Sequence, residues 1–162
     1  MSKNNITIDL QNDLNLPEIP DAALMQRWVT AALQRHFDAL EQTIRIVDEA
    51  ESQLLNKTYR GKNRPTNVLS FPVEDCDFLD YDLLGDLVIC APVVAAEAQD
   101  QHKSAEAHWA HMIVHGMLHL QGYDHIDDAE AEQMERLEIE ILSSLGHTNP
   151  YCNYSASSSN KG

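Results

Sequence analysis

The stretch His115-Gly116-Met117-Leu118-His119-Leu120-Gln121-Gly122-Tyr123-Asp124-His125 carries the pattern H-x3-H-x2-G-x2-H, and the chain is read outward from it. Residues four apart lie one turn apart on one face of a helix, so His115 and His119 present their rings together. Gly122 can take a left-handed backbone, which ends the helix and turns the chain back. His125 then returns to the same point. Three neutral imidazoles with no sulfur ligand are the donor set of a catalytic zinc site, with the fourth position open to water. His111 sits one turn earlier on the same stripe and is read as a neighbour of the trio, not a ligand. The bland alternative is a row of surface histidines on an amphipathic helix. The turn glycine built into the spacing argues against it.

The spacing equals that of the metzincin proteases, H-E-x-x-H-x-x-G-x-x-H, with one change. Gly116 stands where those enzymes carry the glutamate that takes a proton from water. A metal can be held, but the usual carboxylate base is missing. RNA cleavage is therefore a candidate chemistry, because RNA brings its own nucleophile, the 2′-hydroxyl.

A chain of 162 residues is long enough for one domain with a proper core. Residues 1–152 are read as that single domain and 153–162, a serine-rich tail, as disordered. No apolar run approaches the roughly 20 residues of a membrane span. The start, MSKNNITIDL, has no basic-then-apolar signal pattern. A cytoplasmic protein with no membrane partner is expected. Cys76, Cys90 and Cys152 are odd in number and far apart, as expected of reduced thiols.

The net charge of −15 argues against a generic nucleic-acid binder. Yet Lys57, Arg60, Lys62 and Arg64 put four of the eleven basic residues within eight positions. One patch can attract phosphate while the rest repels it. The acids Asp127, Asp128, Glu130, Glu132, Glu135, Glu138 and Glu140 crowd the last third and are read as a solvated helix face.

In chain order, Asn5 to Leu10 alternates as a half-buried strand. Pro20 suits a first helical position, followed by apolar residues at helical spacing from Leu24 to Leu33. Thr43 to Val47 reads as a second strand. Asp48 with Glu51 makes an acidic capping box opening a helix through Tyr59, which Gly61 and Pro65 break. Asn67 to Phe71 is a third strand, stopped by Pro72. Residues 73–84 read as a loop or hairpin arm. Asp86 to Ala91 is a fourth strand, apolar enough to be central. Helices follow from Pro92 to about Gln101, from near Ser104 through the histidines, and from Asp127 or Asp128 to Gly146. Strands come early and helices late, which predicts an α+β fold. Its small mixed sheet of about four strands is covered by helices, with the zinc site on a helix and the following turn.

Arg60 sits at the end of its helix just before a glycine. Arginine matches phosphate geometry in a bidentate fork. A cation at a helix C-terminus is equally well explained by the macrodipole, and spacing alone does not choose. HGMLHLQGYDH, LNKTYRGKNRPTNVLSFP and LLGDLVICAP together resemble the YbeY family of bacterial rRNA maturation factors, in order from about Thr43 to Tyr151. The resemblance implies a zinc-dependent, single-strand-specific endoribonuclease acting in 16S rRNA 3′-end maturation and 70S ribosome quality control. It implies one zinc per chain, held by His115, His119 and His125, with Arg60 and His115 catalytic. Its implied partners are single-stranded rRNA and the ribosome, through a small-subunit protein or an assembly GTPase. Lys57, Lys62 and Arg64 would then guide the RNA backbone beside Arg60. Asp86 and Asp124 are candidates for orienting ligands or moving protons, or else plain capping and turn aspartates. Two other readings compete: a zinc hydrolase of peptides or amides, which Gly116 disfavours, and a zinc-binding assembly factor without catalysis.

Overall fold

The computed structural model describes residues 5–16, 18–72, 82–124 and 126–151. Its sheet is built from β1 (Ile6–Gln11), β2 (Leu40–Val47), β3 (Val68–Pro72) and β4 (Asp82–Cys90), in the order β1-β2-β4-β3. β1, β2 and β4 run parallel, and β3 returns antiparallel on β4. The helices are α1 (Ala22–Ala32), α2 (Glu49–Arg60), α3 (Ala91–Asp100), α4 (Ala105–Leu120) and α5 (Asp128–Ser144). The fold is α+β with a four-stranded mixed sheet, as the sequence predicts.

Several boundaries differ, each for a local reason. The first helix starts after Asp21, whose carboxylate accepts from the Leu24 N–H at 2.9 Å, so Pro20 lies outside it. Asp48 caps α2 through the Glu51 N–H at 3.0 Å. The Glu51 side chain does not return to the cap; it takes Arg45 at 2.7 Å. Pro72 does not stop β3 but closes it, paired with Gly85, which an edge strand tolerates. β2 begins at Leu40 and β4 at Asp82, because polar residues there still find ladder partners. Most of the expected arm at 73–84, together with Cys76, Cys152 and the serine tail, lies outside the described residues.

The two sheet faces have different covers. Leu87 and Ile89 turn toward α4, while Val88 and Cys90 turn toward α2 and pack with Val47, Leu69 and Leu55. α4 is the central helix: α1, α3, α5 and the sheet all pack on it. It is buried nearly all round, including Trp109, Ile113, Val114, Met117 and Leu118. Gly116 packs on the sheet, where an added Cβ would lie 2.7 Å from Leu87 Cδ2. The metzincin glutamate position therefore points into the core, and any side chain there must displace a buried leucine.

Candidate active site at the end of the central helix

The last turns of α4 bring His115 and His119 together, their ring centroids 4.7 Å apart and nearly perpendicular. Gly122 has φ +101°, a left-handed conformation that L side chains rarely adopt. The turn is closed by Gly122 N–H on the His119 carbonyl at 3.0 Å and Tyr123 N–H on the Leu118 carbonyl at 3.0 Å. The reversal expected from the motif is thus present; His125 itself lies outside the described residues.

Arg60 ends α2, and Gly61 follows at φ +72° as its left-handed cap. The segment after it is tied back to the helix. Asn56 donates to the Arg64 carbonyl at 2.9 Å, and Ser52 to the Thr66 carbonyl at 2.9 Å. Lys57, Arg60, Lys62 and Arg64 are all exposed. Arg60 lines a hollow of about 230 Å³ with Ser70, His119, Gly122, Tyr123 and Asp124. Residues 60 and 119 are far apart in sequence and meet because β3 lies between α2 and α4. Asp124 shares this hollow. Asp86 does not: it pairs with Phe71 on the sheet face turned to α2, away from α4. Partial burial, then the charge of Asp9, raise its carboxyl above the ordinary value.

On its other side His115 lines a larger cavity of about 600 Å³ with His108, His111, Glu97, Lys103 and Tyr151. Behind it stands Glu138 of α5, 0% exposed. Its Oε2 lies 2.5 Å from His115 Nδ1, and its Oε1 3.1 Å from His111 Nε2. The Tyr151 hydroxyl also donates to Oε1. Burial alone would raise the Glu138 pKa, but the bonds from His111 and His115 outweigh it and bring it down to about 2. Burial holds the His111 pKa below its usual value against the pull of Glu138. Burial, then the negative charge of Glu138, push the Tyr151 hydroxyl up. A second pair stands beside these: His108 Nε2 lies 2.8 Å from Glu97, which also accepts from Asn67 at 3.0 Å.

The residue that sequence reasoning missed is Glu138. The sequence groups it with the solvated acids of α5, and its burial corrects that expectation. The signal was present: Met134, Ile141 and Leu142 are the buried stripe of α5, and Glu138 falls on the same stripe at i+4 from Met134. An acid on an apolar stripe needs buried donors.

The family model for Endoribonuclease YbeY matches residues 7–146. This chain belongs to the YbeY endoribonuclease family. The solution structure of TM1509 from Thermotoga maritima is similar in fold, with a TM-score of 0.54 and 23% identity over 97% of this chain and 96% of that one. The YbeY family is one of endoribonucleases, so the activity class is RNA cleavage in rRNA processing. Among the described residues no helix is long and apolar enough to cross a membrane.

Among the described residues no three His, Cys, Asp or Glu side chains group as a metal set. The donor chemistry nevertheless fits zinc. His115 turns its Nδ1 to a buried carboxylate, the arrangement that orients metal-binding histidines. His119 lies beside it, and the motif's third histidine follows the reversal at Gly122.

Proposed function

We propose that this YbeY-family chain is a zinc-dependent, single-strand-specific endoribonuclease acting in 16S rRNA 3′-end maturation and 70S ribosome quality control. The observation that carries the reading is the shared hollow: Arg60 of α2 and His119 of α4 line one cleft. His115, His119 and His125 would hold one zinc per chain. When bound there, zinc supplies Lewis-acid stabilisation of a phosphoryl oxygen and acidifies water.

The chain's own residues do the rest. Arg60 stabilises negative charge that builds on phosphorus in the transition state. Lys57, Lys62 and Arg64 flank it and hold the RNA backbone by salt-sensitive contacts. Asp124 is the acid in the hollow with Arg60 and is the candidate proton carrier. Gly116, packed on Leu87, leaves no room for a metzincin-type glutamate. That disfavours peptide hydrolysis and favours a substrate that carries its own nucleophile.

The net charge of −15 weakens binding to naked RNA, so a ribosomal protein or assembly GTPase presents the substrate in the cytoplasm. The test is metal analysis beside a cleavage assay on single- and double-stranded RNA. Wild type should carry one zinc and cut single strands; His115→Ala should lose both. Undiminished cleavage by zinc-free His115→Ala would overturn the reading. Mapping the product ends separates 2′-hydroxyl attack, which leaves a 2′,3′-cyclic phosphate, from attack by water.

A further inference from the structure

The helix α4 carries histidines at 108, 111, 115 and 119, so neighbouring rings can in principle pair as ligands in more than one register. His111 and His115 are as well spaced for that as His115 and His119. Glu138 reaches two of them at once. An ionised carboxylate accepts and never donates, so each ring nitrogen facing it must carry the proton. At His115 that nitrogen is Nδ1, at 2.5 Å. In the neutral ring the lone pair is then on Nε2. At His111 it is Nε2, at 3.1 Å, and the lone pair falls on Nδ1, which is buried with no hydrogen-bond partner. The first ring is held at Nδ1, the orientation in which metal-binding histidines coordinate through Nε2, and the second has its Nδ1 shut inside the core. Tyr151, beyond the end of α5, donates its hydroxyl to the same Oε1 that takes His111. The carboxylate therefore has both oxygens engaged.

We propose that Glu138 is the positioning residue that sorts the α4 histidines, turning His115 Nε2 toward the metal and withdrawing His111, with Tyr151 locking the carboxylate. The metal part of this inference rests on the zinc reading above; the tautomer part does not. Neither Asp86 nor Asp124 fills this role for His115, because Glu138 already holds its Nδ1.

The test uses the full chain, with zinc and with zinc removed by a chelator. Long-range ¹H–¹⁵N correlation spectra of the chelated protein report histidine tautomers directly. Wild type should show His115 protonated on Nδ1 and His111 on Nε2, and Glu138→Gln should lose that assignment at His115. Zinc affinity by chelator competition should fall about 10- to 100-fold in Glu138→Gln. The visible spectrum of the cobalt-substituted protein should change with it. A purely structural Glu138 would lower the melting temperature while leaving tautomer and affinity alone, and that result overturns the proposal. Should Glu138→Gln fail to fold, Tyr151→Phe decides: removing one hydrogen bond to the carboxylate should weaken zinc about fivefold, and unchanged affinity counts against the lock. A wild type that takes no zinc sinks the proposed function, while the tautomer spectra still judge Glu138.

Discussion

The end of α2 and the junction of α4 with α5 flank the proposed reaction centre from opposite physical conditions. At the end of α2, Lys57, Arg60, Lys62 and Arg64 stand in water on a cap held by Gly61, Ser52 and Asn56. At the α4–α5 junction, Glu138 is fully buried and joins His111, His115 and Tyr151. Exposed cations are screened and individually weak in stability, so under the proposed function their work is on the substrate. A buried carboxylate cannot be neutral to the fold, because losing a donor leaves an uncompensated charge in the core. The α2 end should thus be separable from stability, and the α4–α5 junction should not.

The sharpest way to break this contrast is Arg60→Ala. Cleavage of single-stranded RNA should fall by about 100- to 1000-fold, the size expected for removing one donor to transition-state charge. The melting temperature and zinc content should match wild type. A loss of stability as large as the loss of activity would put Arg60 with the buried network and end the distinction.

Acid denaturation of the chelated protein probes the other region. The Glu138 pKa is depressed from 4.5 to about 2, so the unfolded chain binds the proton more readily. Its contribution, about 3 kcal/mol, is fully present above pH 4.5 and is lost as the pH falls toward 2. His111, also depressed, acts in the same direction from about 6.5 downward, because the unfolded ring protonates first. Denaturant midpoints for wild type should fall through this range, and Glu138→Gln should flatten the part below pH 4.5. Parallel curves would remove Glu138 from the acid response.

Gly116→Ala tests how tightly the catalytic helix is pressed on the sheet. Displacing Leu87 costs about 1–3 kcal/mol, and the better helix residue returns about 1. A net loss near 1 kcal/mol in denaturant titration is expected. A gain would mean that Leu87 gives way easily and that the helix has slack. The smallest expected effect is Lys62→Ala, which should weaken RNA binding a few-fold and lower the salt slope by about 1, with stability unchanged.

Much of the site was legible because its parts are local. The spacing of His115 and His119, the reversal at Gly122, the Asp48 and Ser104 caps and the apolar run of β4 each depend on residues a turn or a strand apart. Such patterns survive in sequence because helix and strand periods decide them. The cluster of basic residues was legible too, but its target was not: Arg60 meets His119 only because β3 sits between α2 and α4.

What the chain determined by itself is the donor chemistry: histidines at helical spacing followed by a glycine turn, and arginine and lysine on one short segment. What the tertiary structure decided is which of those groups are set to work. The packing of α5 on α4 drew one acid of an acidic helix out of water, and the contact of Gly116 with Leu87 removed the place for another. Local periodicity says which residues share a face, but only packing decides what that face is pressed against, and burial is what turns an ordinary carboxylate into a fixed acceptor.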